Sequence, residues 1–145
     1  FFVGRQVEHD GMLKHAIRLQ TALALSQAPK LTVVLRKAYG LAYFSLGGND
    51  TGVDAVYAWP GAEISFLDPA VAANVVTGGN PQARDAALSA MEADTDPYGA
   101  AGLMTVDEVI DPADTRPVLG RALARLDGRA APRPGERPLA SWPAR

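Results

Sequence analysis

The chain has 145 residues, 48% of them hydrophobic, with 14 basic and 16 acidic side chains for a net charge of −2. That is about one domain of globular sequence, and its balance offers neither nucleic acid nor a membrane surface a complementary charge. It contains no cysteine, which excludes disulfides, thiolate metal ligands and cysteine nucleophiles and fits a reducing, cytoplasmic location.

The N-terminal "FFVGRQVEHD" lacks both an initiator Met and the layout of a signal peptide, so the chain reads as a processed product or a piece of something longer. From residue 11 to 28, Met12, Ala16, Leu19 and Leu23 recur at intervals of three and four, predicting one helix with Asp10 as its N-cap and Pro29 marking its end. Lys14, His15, Arg18 and Gln20 interrupt it, so this longest candidate falls short of the roughly 18 apolar residues a bilayer span needs.

Residues 31–35, "LTVVL", are apolar and β-branched enough to predict a strand buried on both faces, the mark of a parallel α/β sheet. Two cations, a turn through Ala38-Tyr39-Gly40 and the start of a helix in "LAYFSLGG" follow. After the turn cluster "GGNDTG", two short strands are expected in "VDAVYAWP" and "AEISFL", divided at Pro60-Gly61. "DPAVAANVV" predicts a helix capped by Asp68 with Pro69 in its first turn. "PQARDAALSAMEAD" and "YGAAGLM" predict two more, and "VDEVI" a last strand. In "DPADTRPVLGRALARLDG" Asp111 is the expected cap, with Pro112 at the first helical position. Residues 129–145, rich in Pro and Arg, are expected to be an extended tail beyond a folded body of residues 1–128.

Several chemistries find no support. His9 and His15 lie six apart, about 240° around a single helix, and miss the four-residue spacing of a helical zinc pair; no metal is expected. "YFSLG" around Ser45 imitates a nucleophile elbow, but Tyr43 stands where the first glycine belongs, and Ser45 reads as structural. The glycine pairs at 47–48 and 78–79 complete no phosphate-binding loop.

The strand–Gly40–helix turn remains. A helix starting near Gly40 leaves the N–H groups of Leu41 and Ala42 without intrahelical partners, at the positive end of the dipole. Two such donors suffice for an oxyanion hole, and Gly40 has no side chain to block the approach. From the residues alone, a site and a plain connector both remain open.

The run "EHDGMLKHAIRL…TVVLRKAYGLAY…AVYAWPGAEISFL…DPYGAAGLMTVDEVIDPADTRPVLGRAL" resembles the carboxyltransferase subunit of biotin-dependent acyl-CoA carboxylases, the propionyl-CoA and acetyl-CoA carboxylase β chains. Its most specific segments are R-K-A-Y-G-x-A-Y and A-W-P-x-A-E. The resemblance implies a partial crotonase-like α/β fold, with mostly parallel buried strands and flanking helices. It covers the later part of the second, C-terminal half, without the half that holds most of the coenzyme A site.

It also implies that the backbone N–H groups of Leu41 and Ala42 hold the ureido oxygen of biotin, with Tyr39, Gly40, Tyr43 and Phe44 around the bicyclic ring. The implied reaction passes a carboxyl group from carboxybiotin, carried on a partner subunit or domain, to an acyl-CoA. The implied partners are the biotin carboxylase and biotin carboxyl carrier subunit, and further copies of the chain that complete the CoA-binding half.

Leu41 replaces the family's usual second glycine, which makes any positive φ there costly. Gly61 replaces a threonine. Two other readings stand beside this one: a non-catalytic fragment of the same family, and a crotonase-type hydratase or thioesterase with Glu63 as its carboxylate.

Overall fold

Proline and glycine punctuate this chain heavily, and the computed structural model, which describes residues 4–127, breaks its elements at those positions. In chain order they are α1 (Arg5–His9), α2 (Met12–Leu25), β1 (Leu31–Val34), β2 (Lys37–Tyr39), α3 (Gly40–Ser45), β3 (Ala55–Ala58) and β4 (Glu63–Ser65). They continue with α4 (Pro69–Val76), α5 (Pro81–Ala93), α6 (Pro97–Gly102), β5 (Glu108–Val109) and α7 (Thr115–Leu126). Short 3-10 turns occupy Asn49–Thr51 and Pro112–Asp114.

The strands form two sheets, ordered β1-β3-β5 and β2-β4, and every pairing is parallel. Consecutive strands therefore alternate between sheets. Leu31 to Val34 pair with Ala55 to Ala58 in the first, and Lys37 to Tyr39 with Glu63 to Ser65 in the second. The corners are hydrogen-bonded too, from Trp59 N to Val34 O at 2.9 Å and from Glu63 N to Arg36 O at 2.6 Å.

β3 is the strand buried on both faces. Val56 and Ala58, both fully buried, join Val34, Ala38, Ala62 and Val106 in one cluster. Tyr57 points the other way, onto Ile110, Val118 and Ala122, so that α7 covers that face. Burying a side chain such as Val56 contributes about 1.5–3 kcal/mol. Val56 N also donates to Asp107 Oδ2 at 2.7 Å, which satisfies a buried amide where the ladder does not.

The helix caps follow the local chemistry. Asp68 accepts from the N–H groups of Ala70 and Val71, Asn80 from Gln82 and Asp96 from Tyr98, each with proline at the start of its helix.

Four expectations need correction. Asp10 does not cap the long helix: it closes α1, and Gly11, left-handed at φ 85, starts α2, which ends at Leu25 rather than near residue 28. β1 is only partly covered, with Val34 alone buried, because it is the edge strand of its sheet among the described residues. The stretch between β1 and Gly40 is not merely a turn; Lys37–Tyr39 is a strand of the second sheet. Asp111 and Pro112 begin a 3-10 turn, and α7 starts only at Thr115. The tail expected over residues 129–145 lies outside the described residues.

Candidate functional site

The motif R-K-A-Y-G-L-A-Y runs from Arg36 through β2 into the first turn of α3, which opens at Gly40. Tyr39 ends β2 in extended conformation (φ −119, ψ 135) and provides no side-chain cap to α3. The chain then reverses at Gly40, whose φ is 51. A Cβ built there would stand 2.9 Å from the carbonyl oxygen of Phe66, the residue after β4. Glycine is required twice over, by the left-handed torsion and by the close backbone approach.

The N–H groups of Leu41 and Ala42 donate no hydrogen bond to any described residue, as the first turn of a helix dictates. Leu41 is not at positive φ, so it bears no such torsional cost; the positive φ falls on Gly40, which adopts it freely. Its side chain is 43% exposed. The turn thus presents two amides that donate to no acceptor among the described residues.

The far end of α3 is anchored. Ser45 is fully buried and accepts a hydrogen bond from Gln20 Nε2 of α2 at 3.2 Å, a structural role. Thr32 Oγ1 of β1 donates to Gly47 O at 2.7 Å. Tyr43 packs against the Val34–Val56 cluster and stands 5.7 Å from Phe44, centroid to centroid, in a tilted pair.

A groove of about 430 Å³ runs along the open side of β1 and β2 and the flank of α3. Of the residues expected around a ligand, Tyr39, Ala42 and Tyr43 line it, whereas Gly40, Leu41 and Phe44 do not. Arg36 and Lys37 also line it.

One cluster at this site escaped the sequence reading. Tyr39 donates its phenol proton to Glu63 Oε2, and Lys37 Nζ lies 3.7 Å from the same oxygen and 5.7 Å over the Tyr39 ring. Burial first, and then the Glu63 hydrogen bond, push the Tyr39 phenol well above the ordinary tyrosine range. The available signal was alternation: in paired three-residue strands Lys37, Tyr39 and Glu63 share one face while Ala38 and Ile64 face the core. Glu63 stands opposite Lys37 at the start of β4, with its carboxylate engaged by Tyr39 and Lys37.

No group of three or more metal-ligating side chains occurs among the described residues. His9 and His15 lie on different helices.

The sequence matches the carboxyl transferase domain over residues 1–136. It is 40% identical over 146 residues to the methylmalonyl-CoA carboxyltransferase 12S subunit of Propionibacterium freudenreichii subsp. shermanii, covering 94% of this chain and 28% of that protein. The biotin-dependent 3-methylcrotonyl-coenzyme A carboxylase beta1 subunit of Mycobacterium tuberculosis is 35% identical over 140 residues, which cover 86% of this chain and 26% of that one. The crystal structure of the transcarboxylase 12S hexamer, with methylmalonyl-coenzyme A and methylmalonic acid bound, superposes with a TM-score of 0.81 at 38% identity, over 95% of this chain and 28% of that chain. The chain thus spans a little over a quarter of the length of these relatives. Its parallel strands and flanking helices are part of the crotonase-like fold of such carboxyltransferases. The chain belongs to the carboxyl transferase domain family.

Proposed function

We propose that this chain is part of the carboxyltransferase of a biotin-dependent acyl-CoA carboxylase, and that the N–H groups of Leu41 and Ala42 form its biotin-side oxyanion hole. The observation that carries the reading is the Gly40 turn: in a chain of this family, two adjacent amides have no acceptor among the described residues, and one of them belongs to Ala42, which lines the groove. The groove's volume falls within the range of small-molecule sites and suits a bicyclic ring.

Carboxybiotin, carried on a partner, supplies a carboxyl group on a ureido nitrogen. The N–H groups of Leu41 and Ala42 would hold its ureido oxygen and stabilise the negative charge that transfer of the carboxyl places there. They are held by β2, by Gly40 against Phe66 and by the Ser45 anchor, so they need not reorganise as the charge develops. Being backbone groups, they change no protonation state.

The amides stabilise the same charge whichever way the carboxyl group moves, toward an acyl-CoA or from a carboxyacyl-CoA. The 28% span leads us to assign the acyl-CoA contacts to the remainder of the enzyme, including further copies of the chain, and the biotin to a carrier subunit loaded by a biotin carboxylase. Tyr39 and Tyr43 wall the biotin pocket, with Gly40 and Phe44 behind it.

The test is Leu41→Pro in the complete carboxyltransferase, assayed by carboxyl transfer from a carboxyacyl-CoA to free biotin. Proline is tolerated in the first turn of a helix but carries no N–H. Losing one oxyanion donor should lower kcat about 10²–10³-fold. Leu41→Ala, which keeps the N–H, should stay near wild type. A folded Leu41→Pro enzyme with wild-type turnover would rule the assignment out.

A further inference from the structure

The outward face of the β2–β4 pair carries a cluster that the proposed chemistry does not itself use. The register sets Lys37 opposite Glu63 and Tyr39 opposite Ser65. One oxygen, Glu63 Oε2, accepts the Tyr39 phenol proton and attracts Lys37 Nζ at 3.7 Å. Both neighbours of that oxygen line the groove.

The bond also crosses the two strands that bracket the turn. Tyr39 immediately precedes Gly40, and β4 continues to Phe66, whose carbonyl rests against Gly40. With its proton committed to a carboxylate, Tyr39 is fitted to hold a position rather than to exchange protons.

We propose that Glu63 is a positioning residue: through the Tyr39 hydroxyl it fixes the wall of the β1–β2–α3 groove and the strand end that leads into the Gly40 turn. This role rests on the biotin-side reading of that groove. It assigns Glu63 no contact with the reacting atoms, which separates it from a hydratase-type carboxylate facing substrate.

The experiment uses the complete carboxyltransferase with Glu63→Ala, Glu63→Gln, Tyr39→Phe and the Glu63→Ala/Tyr39→Phe double variant. In carboxyl transfer to free biotin, Glu63→Ala and Tyr39→Phe should each raise the KM for biotin about three- to tenfold, the effect of one hydrogen bond. The KM for the acyl-CoA should not move. Glu63→Gln, whose amide oxygen still accepts the phenol proton, should recover most of the loss. The double variant should be no worse than the worse single one, since both remove the same bond.

A second readout needs no turnover. Ultraviolet titration of the tyrosines should show one phenol ionising at lower pH in Glu63→Ala than in wild type, and that phenol should be absent from Tyr39→Phe. An unchanged biotin KM in folded Tyr39→Phe and Glu63→Ala, or an equal rise in the KM values for biotin and for the acyl-CoA, would overturn the role. An identical titration in Glu63→Ala would overturn the bond itself. Full activity in Leu41→Pro with the titration shift present would instead remove the biotin-side reading and the role built on it, leaving the bond intact.

Discussion

Replacing Gly40 with alanine tests the turn most directly. The left-handed torsion at φ 51 costs an L-residue about 1–2 kcal/mol. The new Cβ, 2.9 Å from Phe66 O, must also displace a backbone carbonyl rather than a flexible side-chain tip. Such overpacking costs about 1–3 kcal/mol. We expect Gly40→Ala to lose about 2–5 kcal/mol in urea denaturation of the complete protein, and carboxyl transfer to fall with it as the two amides shift. Gly40→Asn separates the two causes: asparagine tolerates the torsion but keeps the clash, so it should recover only part of the loss. Gly120, exposed in the middle of α7 with open space around its Cα, is the control; Gly120→Ala should gain about 0.5–1 kcal/mol. A Gly40→Ala protein as stable and active as wild type would refute the reasoning. Wild-type behaviour in Gly40→Asn alone would show that the Phe66 contact carries no energy.

Other expectations follow from single contacts. Asp107→Ala leaves the fully buried Val56 N–H without its acceptor and should cost about 1–3 kcal/mol by denaturant titration, more than Asp107→Asn. Asp68→Ala removes an oxygen that accepts from Ala70 and Val71, and should lower stability by about 1 kcal/mol. Tyr39 is raised in the folded state, so its contribution to stability is complete below the ordinary tyrosine value near 10 and is lost as pH climbs beyond it. Unfolding midpoints followed from about pH 8 to pH 11 should therefore decline less steeply in Tyr39→Phe than in wild type. Some decline should persist, because Tyr57 is also raised, by burial and then by Glu108 and Asp107.

What the sequence revealed was what neighbouring residues decide among themselves. Asp68 with Pro69 and the helix that follows are such a case, since cap and first turn sit in four adjacent positions. The Gly40 turn is another: the glycine and the helix it opens are consecutive, and first-turn amides without intrahelical partners follow from helix geometry. β2 was missed because three residues are too few for periodicity; Lys37–Tyr39 is a strand only because residues 26 positions later lie alongside it. The same separation hid Glu63. The break at Gly11 lacked a proline, and only its φ of 85 distinguishes it from a glycine inside a helix. β1 looked doubly buried from its side chains, but burial depends on neighbours, and its outer edge has none among the described residues.

The alternation of strands between two sheets has a consequence for how this chain tolerates change. Each pass lays down one rung in both sheets, and the spacers within a rung are short: residues 35–36 between β1 and β2, and 59–62 between β3 and β4. Losing one residue from either corner would pull the second sheet a full pleat out of step, turning Tyr39 or Glu63 inward and Ala38 or Ile64 out. Between rungs the path runs through helices and turns, residues 46–54 beyond the Gly40 turn and its helix, and residues 67–106, where added length leaves both ladders untouched. Insertions and deletions should accumulate on those outer arcs and spare the corners.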